Sequence, residues 1–243
     1  MKKAKFCFLD LNGVTIPTED IFVSEYSKIL LGLGIPHNIS ELQEITEKIS
    51  TQFTNPHPLQ VILKLNKHYK IAKSPYYIYN AIKVGLQLKK GIKNELATTD
   101  ISHGVGGLLT CTKQLNIPTA LVTNLPNKMI NILHQNQNTK DIMNLFTTII
   151  TEKDGRKKPH PDLYISALKK VNQQNNPQHG IGIEDTLAGM RALFEADIGT
   201  RVHYFPPHKR RNLTEFDKAS LRGIEKIATH QVKCLSEISL YID

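Results

Sequence analysis

The chain has 243 residues, 40% of them hydrophobic, and a formal charge of +9, which suits one large domain or a core with a modest insert. Its three cysteines, Cys7, Cys111 and Cys234, are odd in number and far apart, so neither a disulfide framework nor a zinc site is expected, and reduced thiols in a cytoplasmic protein are. The basic start Met1-Lys2-Lys3-Ala4-Lys5 leads into an apolar run that stops at Asp10; no signal peptide is expected from it, and no run of about 18 apolar residues suggests a membrane span.

The positive charge permits attraction to phosphorylated or acidic partners. It does not make a nucleic-acid site: the one dense basic stretch, His208-Lys209-Arg210-Arg211, follows Pro206-Pro207 without interleaved aromatics and reads as a solvated loop.

In chain order, the first strand is expected at residues 6–9 and ends in Asp10-Leu11-Asn12-Gly13-Val14-Thr15. A carboxylate at the tip of a buried strand before a glycine turn can act as nucleophile or metal ligand; Asp and Gly are also common turn formers. From about 15 to 96 the patterns are helical with no convincing strand. Phe22, Tyr26, Ile29, Leu30 and Leu33 recur at helical spacing, and Ser40-Glu41-Leu42-Gln43 reads as a capping box. Pro58 and Ser74-Pro75 suit the starts of two further helices. An insertion here is expected over the carboxyl edge of the sheet, where open α/β folds bind ligands.

Beyond the insert, Val105, Leu108, Leu109 and Leu115 share one helical face. Strands are expected at 119–122, 148–150, 181–183 and 201–204, mostly as continuous apolar runs, the mark of a parallel sheet buried on both faces. The strand at 119–122 leads into Thr123-Asn124, whose hydroxyl and amide can donate to a phosphate oxygen; Asn124 or Asn127 can equally cap a helix. In Lys157-Lys158-Pro159-His160-Pro161-Asp162 the prolines stiffen the approach and Asp162 is placed to cap the helix from 162 through 168. Lys158, locked beside Pro159, is the candidate to offset phosphate charge, with Arg156 and Lys157 solvated. The strand at 181–183 runs into Glu184-Asp185, adjacent carboxylates that repel each other unless a cation compensates. His103 and His160 show no metal-ligand spacing and read as surface residues.

Each of the four segments stands at a strand's carboxyl end or in the loop after it, so a parallel sheet gathers them at one edge. Their order (aspartate, Thr-Asn, Lys-Pro, Glu-Asp) resembles the four motifs of the haloacid dehalogenase (HAD) superfamily, with the nearest likeness to its β-phosphoglucomutase/phosphoglycolate phosphatase-like subgroup. Residues 6–15, 121–124, 158–164 and 182–192 carry the match, with a weak one at 228–238. The resemblance implies an α/β fold: a Rossmann-like three-layer core with a parallel sheet, from residues 1–14 and 97–243, and an inserted helical-bundle cap from 15–96. It also implies a Mg2+-dependent phosphatase or phosphotransferase acting on a small phosphorylated metabolite through an aspartyl phosphate.

Residue by residue, the resemblance makes Asp10 the nucleophile, Thr123 and Asn124 the phosphate-holding pair, and Lys158 the lysine that serves phosphate and nucleophile together. Asp10, the backbone carbonyl of Asn12, Glu184 and Asp185 become the metal set. Asn12 is the departure, because the family usually places there an aspartate that protonates the leaving oxygen and then activates water. Asparagine keeps the carbonyl, but its amide cannot exchange protons at neutral pH. Three explanations follow: a slow or specialised phosphotransferase, a phosphate-binding pseudoenzyme, or an introduced substitution. Dehalogenase chemistry is a minor alternative, since it uses an aspartate nucleophile but no metal, and Glu184-Asp185 looks like a metal motif. A monomer or homodimer is expected, with no nucleic-acid or membrane partner. Thr51, Thr54, His57, Lys64 and Lys67, in or near the turn between the second and third cap helices, read as surface residues.

Overall fold

The computed structural model describes residues 4–17, 86–87, 90–206 and 215–238. The helices read between residues 22 and 82, the turn residues 51–67 and the basic stretch at 208–211 lie outside the described residues; residues 90–96 are helical. The chain divides into two compact units, Met1–Pro17 with Ala97–Asp243, and Thr18–Leu96. Within the first unit, the amides of Thr15 and Ile16 both reach the Leu11 carbonyl, at 3.0 and 2.9 Å, and Thr15 Oγ1 donates to the Asp10 carbonyl at 2.6 Å.

The first unit holds β1 (Cys7–Asp10), α1 (Val105–Gln114), β2 (Thr119–Val122), α2 (Asn127–Gln135), α3 (Lys140–Met143) and β3 (Thr148–Ile150). These are followed by α4 (Asp162–Lys170), β4 (Ile181–Glu184), α5 (Leu187–Glu195), β5 (Thr200–Tyr204), α6 (Glu215–Glu225) and β6 (His230–Val232). The strands form one sheet in the order β3-β2-β1-β4-β5-β6, every neighbouring pair parallel. The chain therefore builds outward from β1 on one side and then crosses to build outward on the other. The switch point lies between β1 and β4, and at such a point the carboxyl ends of an open α/β sheet form a crevice.

Strand pairing extends two of the expected strands by their final carboxylate. Asp10 pairs in register with Val122 and Glu184 with His203, so both are strand residues rather than the first residues of loops. Phe6 and Phe8 point to one face, into a core with Val122, Ile150, Leu163, Tyr164, Met190 and Leu193. Cys7 and Leu9 alternate to the other face and are equally buried; burial pushes the Cys7 thiol up to about 12. On α1 the buried residues are Val105, Leu108, Leu109 and Thr112, while Leu115 stands just past the helix end and is half-buried. No helix among the described residues is long and apolar enough to cross a membrane.

Phe6 sits where the sheet needs bulk. A Cβ built on neighbouring Gly180 would lie 1.9 Å from its ring, so the glycine leaves the space that the ring fills. Phe6→Ala is expected to lower stability by about 3–5 kcal/mol, read as a shift of the urea midpoint.

Candidate active site

The site starts at the end of β1. Asp10 is buried, and the chain turns sharply after it through Gly13, whose φ of 75° favours glycine. The Gly13 amide closes the turn on the Ile16 carbonyl at 2.8 Å. Within this turn Asn12 Oδ1 is a buried acceptor with no hydrogen-bond partner among the described residues.

At the end of β2, Thr123 is fully buried; its amide donates to the Ile150 carbonyl at 2.9 Å and its Oγ1 accepts from the Leu125 amide at 3.1 Å. Asn124 Oδ1 accepts from the Lys158 backbone amide at 2.9 Å, which ties this loop to the lysine loop. Neither asparagine caps α2: Pro126 holds the cap position without a side-chain bond, and Asn127 Oδ1 accepts from Thr151 Oγ1 at 2.6 Å.

The lysine loop is pinned at several points. The Thr151 amide donates to Asp154 Oδ2 at 2.8 Å, and Lys157 pairs with Glu152 at 2.8 Å. Arg156 grips both oxygens of Asp162, at 2.8 and 3.0 Å. Two expectations are corrected here. Asp162 is the first residue of α4 and makes no cap bond, because its carboxylate is taken by Arg156. Arg156 and Lys157, though exposed, are held in ion pairs rather than simply solvated.

From this loop the Lys158 side chain passes into the protein, where it is only 4% exposed. Nζ donates to Asp10 Oδ1 at 2.5 Å, to Glu184 Oε1 at 2.6 Å and to the Val122 carbonyl at 2.7 Å. An ammonium has three protons to give, and each of these acceptors is in reach. Burial by itself would lower its pKa, but Asp10 and Glu184 outweigh that and hold it above the usual lysine range, so the group stays charged. Burial first, and Glu184 second, push the Asp10 carboxyl well above the usual range, against the pull of Lys158.

At the end of β4, Glu184 is wholly buried, and Thr186 caps α5 by accepting from the Gly189 amide at 3.1 Å. Asp10, Glu184 and Asp185 can each offer one carboxylate oxygen to a common point, the three atoms lying within 4.8 Å of one another. An all-oxygen, anionic set of this kind suits a hard divalent cation such as magnesium. Charge points the same way, because among the described residues Asp10, Glu184 and Asp185 converge beside the Lys158 ammonium, and carboxylates so close repel one another unless cations compensate.

Of the residues singled out in the sequence, the structure thus brings together Asp10, Lys158, Glu184 and Asp185, with Asn124 bound to the Lys158 backbone. Thr123 stands one residue past the Val122–Asp10 pair, and Asn12 two residues past Asp10. Two participants were not singled out. Tyr164 Oη donates to Glu184 Oε1 at 2.5 Å, and Gly189 leaves room for the same carboxylate. In the sequence Tyr164 looks like any apolar-face residue of α4, and Gly189 like a helix interruption.

A family model for haloacid dehalogenase-like hydrolases matches residues 4–197. The chain belongs to this family of hydrolases. Over 214 residues it is 27% identical to a Saccharomyces cerevisiae protein named probable pseudouridine-5'-phosphatase, covering 83% of this chain and 82% of the relative. The fold of this HAD-like hydrolase matches a HAD family hydrolase from Deinococcus radiodurans R1, solved with bound phosphate and sodium, at TM-score 0.75. Identity there is 18%, over 98% of this chain and 94% of the other. It also matches a β-phosphoglucomutase from Clostridium difficile at TM-score 0.63 and 20% identity, over 97% and 93% of the two chains.

The Arg156–Asp162 grip has a pH signature. Hydrogen bonds from Arg156 lower the Asp162 carboxyl to about 2. A carboxyl whose folded pKa lies below its unfolded value of about 3.9 adds stability above that value and loses it as pH falls through the folded pKa. Asp162→Asn should therefore lower Tm slightly at pH 6, and the gap to the parent should close as pH falls from about 4 toward 2, followed by thermal melts across that range.

Proposed function

We propose that this HAD-like hydrolase is a Mg2+-dependent phosphatase or phosphotransferase acting on a small phosphorylated metabolite through an aspartyl phosphate on Asp10. The observation that carries the reading is the meeting of Asp10, Glu184 and Asp185 within 4.8 Å around one buried lysine, at the switch point of a parallel sheet. The pseudouridine-5'-phosphatase name of the yeast relative and the phosphate in the Deinococcus structure support a phosphorylated substrate. Substrate choice we assign to the unit Thr18–Leu96.

In this mechanism an Asp10 carboxylate oxygen attacks phosphorus, forming the Asp10 Oδ–P bond as the bond to the leaving oxygen breaks; water then cleaves the acyl phosphate and regenerates Asp10. Asn124 already uses Oδ1 to hold the Lys158 amide, which leaves its NH2 group to donate to a phosphate oxygen, beside the Thr123 hydroxyl. Lys158, held at 2.5 Å from Asp10 Oδ1, keeps the nucleophile oriented and offsets charge as the phosphoryl group arrives. Asp10, Glu184, Asp185 and the backbone carbonyl of Asn12 would hold magnesium, which would further neutralise the phosphate.

Asn12 shapes the rate. General acid–base catalysis is worth about 10²–10⁴-fold, and an amide cannot provide it at neutral pH. Acyl or aryl phosphates, whose leaving groups depart without a proton, are therefore favoured over sugar alkoxides. The same residue favours a second reading, a phosphate-binding protein without turnover on this scaffold.

Asn12→Asp should raise turnover of a sugar phosphate, with magnesium present, by at least about ten-fold; an unchanged rate would falsify the role given to position 12. Incubation with acetyl phosphate and magnesium should add a phosphate-sized mass to the Asp10 peptide, and chelating the metal before the donor is added should prevent it. Should no adduct form with any activated donor, the binding-protein reading replaces the enzymatic one.

A further inference from the structure

One side chain touching the buried carboxylates has no part in the mechanism above. Tyr164 lies on α4, fully buried, with its ring stacked on Phe8 at 6.4 Å between centroids. That packing needs no hydroxyl: phenylalanine would fill the same space without a polar atom to desolvate. Among the described residues the hydroxyl goes to one acceptor, Glu184 Oε1, at 2.5 Å.

Oε1 is also the atom that accepts from Lys158 Nζ, at 2.6 Å, and the same Nζ lies 5.1 Å from the centre of the Tyr164 ring. On its far side the Glu184 carboxylate rests on Gly189, where an added Cβ would stand 1.9 Å from the carboxylate carbon. Oε2 has the slacker contact, Thr186 Oγ1 at 3.5 Å. Glu184 is thus clamped at one oxygen by two donors and supported from behind by a glycine.

We infer that Tyr164 is a positioning residue of the phosphoryl-transfer site, fixing Glu184 Oε1 and, through it, the hold of Lys158 on Asp10. The inference rests on the proposed phosphorylation of Asp10. Lys158 is shared between two carboxylates. Without the tyrosine proton, Glu184 carries more unscreened charge in a dry environment and draws the ammonium toward itself, away from Asp10 and an incoming phosphoryl group.

Trifluoroberyllate, which occupies an aspartate as a phosphoryl group does, provides the test when titrated by calorimetry onto the full chain with magnesium. Y164F should bind it about ten-fold more weakly than the parent, the scale of a lost hydrogen bond to a charged acceptor. In a Glu184→Gln background the same change should cost at most about three-fold, because a neutral acceptor depends less on its donor. Equal affinities of Y164F and the parent, or equal losses in the two backgrounds, overturn the inference. Should Y164F fail to fold, Gly189→Ala pushes on the same carboxylate while leaving the tyrosine in place; an about ten-fold loss is expected, and unchanged affinity overturns it. A parent chain that binds no trifluoroberyllate sinks the assignment of Asp10 itself, and this inference with it.

Discussion

The Lys158 ammonium is buried to 4% exposure and held by Asp10 Oδ1, Glu184 Oε1 and the Val122 carbonyl. Taking an ion out of water costs several kcal/mol, and an ion pair offsets that only when geometry is good and the remaining protons find acceptors. Both conditions depend on the sheet. Asp10 and Glu184 end adjacent strands, β1 and β4, and Val122 pairs in register with Asp10 on the other side. One cation can reach all three only because the strand order places β2, β1 and β4 side by side.

The loop that delivers the lysine is braced to match. Between Thr151 and Asp162 the Thr151–Asp154 bonds, the Lys157–Glu152 pair and the Arg156–Asp162 grip follow one another, while Asn124 holds the Lys158 amide from across the site. Exposed ion pairs contribute little stability individually, typically about 0–1 kcal/mol. Their effect here is conformational: they restrict the loop, so that Lys158 enters the interior from one direction.

Among the described residues, three carboxylates converge beside that ammonium. Burial and Glu184 hold the Asp10 carboxyl above its usual range even with Lys158 beside it. Asn12 takes on a second meaning in that setting. An aspartate there would bring a further carboxylate into the turn after Asp10; asparagine adds no charge. Its Oδ1, buried without a partner among the described residues, remains an acceptor for a cation or a donor.

Much of this was legible in the residues themselves. The strands Thr119–Val122 and Thr148–Ile150 stand at the expected positions, because strands buried on both faces must be continuously apolar and turn residues bound them. The order of the four polar segments identified the family for a similar reason, since each chemical group follows its own strand. Other features were hidden. The edge strand His230–Val232 has no apolar run, being exposed along part of its length, and Asp10 and Glu184 joined their strands only through pairing. Asp162 looked like a cap until Arg156 claimed it, and Tyr164 looked like an ordinary core aromatic. Local sequence determined which side chains could bear charge and where strands would stop, because propensity and burial act over a few residues. Only tertiary structure decided that a lysine and an aspartate 148 positions apart share a proton donor bond, because strand order, a long-range property, sets which carboxylates a buried ammonium must neutralise.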